Sequence, residues 1–420
     1  MTASHPEGST DETVDAGTPH AGASSAGPEP YPFGPYQRLD MHPNYARYRR
    51  EEPVKRVTMP YGGEAWLATR YEDSKTVMAD PRFSRAATIG KDVPRSRQAF
   101  EDPIIVALDP PEHTRLRKLV TKAFTNRRVE QLRPGVEAIV DRLVDEFIAL
   151  GPNADLAENV AWPLPVTVIC ELLGVPAADQ ATFRALVDVW LTTGDERPLD
   201  EVSAALEELM GYMSDLLDKR RAEPRDDLLS ALVAARDGGD KLSEQELVML
   251  GITLLAAGHK TTANQLSSHV FALLEDRGRW EELVADPSLV PAAVEELLRY
   301  APLAPASDNT RIALEDVQLG DVLVKAGEAV MINYASANRD PDVFPEPDRL
   351  DFHRESNPHV AFGHGLHHCL GAPLARMELQ LALTALVTRL PGLELAVPAD
   401  EVPWRKESVA RGVRRLPVKW

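Results

Sequence analysis

The sequence is poor in cysteine, in aromatic residues and in positive charge, and each shortage excludes something. Only Cys170 and Cys369 occur in 420 residues, so a disulfide-stapled scaffold is excluded and a cytoplasmic location fits. Aromatic residues make up 6% of a chain that is 44% hydrophobic. That balance suits a helical protein rich in Ala and Leu, which lose little entropy in helices. Lys and Arg number 46 against 65 Asp and Glu, a formal charge of −19, which favours solubility and argues against nucleic-acid binding. No run of about eighteen apolar residues occurs, so no transmembrane helix is expected. Internal repeats are also lacking.

What is present begins with an acidic stretch. Residues 1–30 contain Glu7, Asp11, Glu12, Asp15 and Glu29 but no Lys or Arg. Rich in Ser, Thr, Gly and Pro, this stretch cannot offset the entropy of ordering and reads as a disordered tail over residues 1–33, ahead of a single domain at 34–420. It has neither the basic nor the apolar region of a signal peptide. Residues 36–50 read as a short helix. Residues 54–57 and 65–68 flank Gly62 and Gly63, a hairpin signal. After the Asp109-Pro110-Pro111 break a basic helix starts at Glu112, and the pattern stays helical to about Tyr300, with breaks at 151–153, 192–198 and 238–239.

The longest helix is predicted over residues 244–276, roughly 50 Å at 1.5 Å per residue. Ser243-Glu244-Gln245-Glu246 forms a capping box at its start. Its apolar residues wrap most of the circumference, which predicts burial through the middle of the protein. Beyond Tyr300 come prolines and short β-like runs, then a helix over 372–390, then short strands from Leu393 to Trp420. The class is mainly α with a small β-rich region.

The chemistry concentrates around Cys369. Phe362-Gly363-His364-Gly365-Leu366-His367-His368-Cys369-Leu370-Gly371 has three glycines that let the backbone turn tightly and approach a flat object. The helix starting near Ala372 favours negative charge at its N-terminus and predicts a lowered thiol pKa, with Arg376 adding positive charge. Such a thiolate can ligate haem iron and push electron density that favours O–O cleavage. The alternative is zinc, from His364, His367, His368 and Cys369, although no second cysteine-bearing cluster completes a structural site. Cys170, in an apolar helical run, reads as a small buried hydrophobe.

The loop matches Phe-Gly-x-Gly-x-His-x-Cys-x-Gly at every fixed position, and the chain resembles a bacterial cytochrome P450 from about Tyr36 to Trp420. The resemblance implies a fold with a long central helix across haem b, Cys369 as the iron ligand, and Phe362, Gly363 and Gly371 as its cradle. Glu296-Leu297-Leu298-Arg299 lies 73 residues before the cysteine, where such enzymes have a buried pair that ties its helix to the Pro-rich meander. His113, Arg117, Arg311 and His367 match the positions that seat the haem propionates, whose burial demands cationic donors.

In the middle of the long helix stands Ala256-Ala257-Gly258-His259-Lys260-Thr261-Thr262. A glycine there costs about 1 kcal/mol relative to alanine, and buried polar groups cost more unless satisfied. By resemblance, Ala257 and Gly258 let haem and dioxygen lie against the helix, and Thr261 organises the water that supplies protons for O–O cleavage. Lys260 departs from the pattern, which has an acid there. We expect it to lean towards the segment that covers the pocket and to pair with Asp188, Asp195, Glu196 or Asp200 as a latch.

The implied activity is monooxygenation of a bulky specialised metabolite such as a macrolide, polyketide or peptide, as in antibiotic biosynthesis. Expected partners are the small-molecule substrate, dioxygen, ferredoxin and ferredoxin reductase, with the ferredoxin steered to Lys118, Lys122, Arg127, Arg128 and Arg376. No nucleic acid, no membrane and a monomer are expected. The pocket is expected to draw on residues 84–106, 183–200, 254–261 and 303–309, including Ser307, Asp308 and Asn309, and on the turn near Val409. Oxidative coupling, or peroxide or nitric oxide chemistry, on the same fold is the alternative activity. A haem sensor or carrier fits less well, since no output domain is visible.

Overall fold

The computed structural model describes residues 27–34, 38–96, 105–190, 197–237, 242–304, 309–405 and 411–420. Thirteen α-helices and three small sheets occur among them. The central helix, Glu244–Glu275, begins as its sequence predicts: Glu246 N–H donates to Ser243 Oγ at 3.1 Å, and Ser243 N–H donates to the Glu246 carboxylate at 2.8 Å. It threads the main apolar core and packs against Pro163–Leu173, Leu199–Ala222 and Ala372–Arg389. A six-stranded sheet flanks this body. The hairpin of Val54–Thr58 and Glu64–Ala68 pairs Thr58 with Glu64 across the Gly62-Gly63 turn. Ala329–Ile332, Arg311–Ala313 and Phe83–Ser84 extend the sheet on one side. Glu394–Leu395 and Pro417–Lys419 are the short C-terminal strands, completed by Ala154–Asp155.

Two expectations about the N-terminal part are corrected. The helix expected over 36–50 is shorter, Pro43–Glu51: Pro43 occupies the first turn, and His42 Nδ1 accepts the Asn44 N–H at 3.2 Å as its cap. The ordered chain also starts before residue 34. Glu29–Pro30 pairs in parallel with Val57 and Thr58, and Tyr31 and Phe33 are buried against Tyr45 and Tyr48. Two aromatic rings in an otherwise polar stretch supply the apolar area that holds it. Residues 1–26 lie outside the described residues, as do 35–37, 97–104, 191–196 with Asp195 and Glu196, 238–241, 305–308 with Ser307 and Asp308, and 406–410 with Val409. Among the described residues no helix is long and apolar enough to cross a membrane.

Candidate active site

From Leu247 to Leu274 the central helix is buried except at four residues: Leu254, Ala257, Gly258 and Thr261. Their spacing, i, i+3, i+4 and i+7, places them on one face. An otherwise buried helix thus leaves one narrow, largely apolar stripe accessible, with a single hydroxyl in it. Thr261 Oγ1 donates to the Ala257 carbonyl at 2.8 Å, the i−4 bond that loosens a helix locally.

Gly258 has a packing reason that sequence alone did not give. A Cβ there would come within 2.8 Å of Ile169 Cγ1 on Pro163–Leu173. The missing side chain makes room for a neighbouring helix, and Ala257 is the exposed small residue of the pair. Lys260 turns away from the stripe. It is buried, with Nζ 3.7 Å from Asp188 Oδ1 on Gln180–Trp190. Of the other acids considered for it, Asp200 is exposed on the next helix.

The cysteine loop is held from several sides. Cys369 N–H donates to the Phe362 carbonyl at 2.8 Å, and Gly363 and Gly365 take positive φ, 75° and 70°. A Cβ at Gly365 would meet the Met78 carbonyl at 2.9 Å, so only glycine fits there. Arg376 lies over the Phe362 ring at 4.5 Å and donates twice to Glu295, at 2.7 and 2.9 Å. His359 Nε2 lies 3.0 Å from the same carboxylate. Together they hold the Glu295 pKa down at about 2 against its burial.

The Cys369 thiol is solvent-accessible although deep in the fold. Its environment corrects the expectation of a lowered pKa. The N–H groups of Gly371 and Ala372 and the charges of Arg117 and Arg376 do pull it down, but burial outweighs them and the net shift is upward. Coordination to a metal deprotonates a thiol outright. Cys170, by contrast, is fully buried and its thiol is pushed up to about 12.

Beside the loop lies a cluster of basic side chains. The rings of His113 and His367 are 4.3 Å apart, tilted by 46°. Burial, then His113, Arg311 and Arg85, hold His367 down to about 3. Burial, then Arg85, lowers even Arg311, to about 10. Arg85, which sequence reasoning missed, is fixed by the carbonyls of Val106 and Thr310 at 3.2 and 2.8 Å. It reaches Arg311 because Phe83–Ser84 pairs with Ile312 and Ala313, more than two hundred residues away. The nearby acid, Asp109, is engaged by Ser84 Oγ and the N–H groups of Arg85 and Ala86.

Arg117 stands slightly apart. Its guanidinium donates to the His368 carbonyl at 2.5 Å, on the cysteine loop. Two buried guanidiniums, Arg85 and Arg311, that repel one another call for an anionic partner, and the His113 Nδ1, buried without a hydrogen-bond partner, is a further donor or acceptor. An accessible thiol, this basic cluster and the one exposed stripe fit a flat, dicarboxylate-bearing haem. The zinc alternative lacks geometry, since no group of three or more His, Cys, Asp or Glu among the described residues is disposed to hold a metal ion. A groove of about 1050 Å³ elsewhere, lined by residues such as Arg115, Lys118 and Leu232, includes none of these groups.

Known proteins give the same reading. The family pattern of cytochrome P450 matches residues 182–408. Nocardicin C N-oxygenase of Nocardia uniformis subsp. tsuyamanensis is 52% identical over 393 residues, covering 93% of this chain and 98% of that protein. Mycinamicin IV hydroxylase/epoxidase of Micromonospora griseorubida is 48% identical over 397 residues, covering 94% and 100%. A solved structure of HinD with NMFT and NO superposes with a TM-score of 0.91 at 51% identity, covering 94% of this chain and 100% of that one. The chain belongs to the cytochrome P450 family and is a haem-thiolate monooxygenase.

Proposed function

We propose that this monooxygenase carries haem b on Cys369 and hydroxylates or epoxidises a bulky specialised metabolite, with electrons from a ferredoxin and its reductase. The observation that carries the reading is the exposed stripe of Leu254, Ala257, Gly258 and Thr261 on an otherwise buried helix. It offers an apolar wall with one hydroxyl, which suits a large substrate with few polar groups. The relatives named for a macrolide and for nocardicin C support a substrate of that class.

Haem, when bound, supplies the reductive activation of dioxygen. The chain's own residues do the rest. Cys369 would hold the iron, and the Gly371 and Ala372 N–H groups would stabilise its thiolate. Arg311, Arg85, His113 and His367 would take the carboxylates, whose charge would relieve the repulsion between the two arginines. Thr261 would hold a proton-carrying water at its Oγ1, the position left open once its own proton goes to the Ala257 carbonyl. The exposed Lys118, Lys122, Arg127 and Arg128 give an acidic ferredoxin a basic landing face on a chain of charge −19. Location in the cytoplasm and a monomeric state belong to the same proposal.

The test is a screen of macrolide, polyketide and peptide metabolites for the spectral shift that follows displacement of iron-bound water, then turnover in labelled dioxygen. Label in the product supports oxygen insertion. Product formed without label would assign oxidative coupling instead.

A further inference from the structure

Lys260 neighbours Thr261 on the central helix, yet it is only 7% exposed and its ammonium faces another element. An unpaired charge there would be costly. Burial lowers its pKa, and the Asp188 carboxylate on Gln180–Trp190 counters that.

Asp188 serves more than one cation. Its charge also acts on Arg405, next to the antiparallel bridge between Trp404 and Val413. One turn earlier on Gln180–Trp190, Arg184 lies over the Trp162 ring at 5.1 Å, and Arg405 lies over the same ring at 4.7 Å. Arg184 is held in turn by Glu158 at 3.2 Å. Trp162 itself is 1% exposed and ends the turn that leads into Pro163–Leu173. Three cations, two acids and one indole therefore join the central helix, the Trp404–Val413 bridge and Gln180–Trp190 at one point. The broad packing of Gln180–Trp190 is against Leu199–Ala222. The Lys260–Asp188 ion pair also ties it to the central helix.

We propose that Lys260 and Asp188 are a positioning pair that holds Gln180–Trp190 against the central helix, so that a bulky ligand reaches the iron only when the pair parts. The proposal rests on the haem reading above. Small ligands need no such parting. Asp188 carries more of the junction than Lys260, because its removal leaves both Lys260 and Arg405 without their shared acid, whereas removal of Lys260 leaves Asp188 with Arg405.

The test uses the haem-loaded protein and two azoles that ligate haem iron, imidazole and the bulky clotrimazole, followed by stopped-flow absorbance. Lys260→Met should accelerate clotrimazole association and dissociation roughly tenfold, equivalent to about 1.4 kcal/mol, while imidazole binds at the native rate. Asp188→Asn should accelerate clotrimazole further, Lys260→Met added to it should change little more, and Lys260→Arg should restore the native rates. Unchanged clotrimazole rates in both single variants would overturn the pair. Equal acceleration of both azoles would also overturn it, since that signals general loosening. Absence of any imidazole spectrum in the native protein would overturn the haem reading and this proposal with it.

Discussion

Arg299 grips Glu296 through two hydrogen bonds, Nε to Oε2 and Nη2 to Oε1, each 2.7 Å, with both residues 1% exposed. Nothing in either side chain is idle. Arg299 also donates to the carbonyls of Asn338, Pro347 and Arg349, and Glu296 accepts from Asp351 N–H, Arg354 and Asn357. The pair thus closes the meander onto Val290–Tyr300. Glu296→Ala leaves Arg299 and Arg354 buried without their acid, a loss of about 3–5 kcal/mol. The variant should fail to retain haem and should melt earlier. Full loading with a native melting temperature would show the pair to be dispensable.

Gly258→Ala tests whether that glycine serves helix packing. The added Cβ would press on Ile169, and overpacking costs about 1–3 kcal/mol. Thermal melts should show that loss, and Ile169→Ala in the same chain should recover part of it. A Gly258→Ala variant with native stability but no spectral response to substrate would move the glycine's role to the pocket instead.

The central helix, its capping box, the hairpin, the Glu296–Arg299 pair and the helix after Cys369 were legible because each rests on local pattern or on spacing along the chain. The Lys260–Asp188 approach was legible too, because a buried ammonium restricts its partners to nearby acids. Arg85 was not: it meets Arg311 only through the pairing of distant strands. The upward shift of the Cys369 thiol was missed because a helix N-terminus is visible in sequence and depth of burial is not. The packing of Gly258 against Ile169 was not legible, because sequence gives a helix position but not which neighbour fills it.

His269 gives a pH prediction. It is fully buried on the central helix, its Nε2 has no hydrogen-bond partner, and burial holds it down to about 3. The unfolded chain protonates the same ring near 6.5. Its folded pKa is depressed, so below about pH 6.5 the unfolded state gains the proton first and stability falls. Down to about pH 5 the loss from this group is about 2 kcal/mol. Denaturant melts of His269→Leu should show a shallower acid loss by that amount, and parallel curves would contradict it.

Thr261→Val keeps the volume of the stripe and removes its hydroxyl. With a metabolite chosen by the spectral screen, binding should be native. Product per pair of electrons should fall roughly tenfold or more, with hydrogen peroxide released in its place. Native coupling would remove Thr261 from proton supply.

Everything in the site depends on Cys369 as the iron ligand. The most direct measurement is the absorbance of the reduced protein under carbon monoxide, native against Cys369→Ser, with circular dichroism to verify that both fold. The native protein should show the red-shifted Soret band of thiolate ligation, and the folded Cys369→Ser variant should lack it. An unchanged band in Cys369→Ser would contradict the assignment.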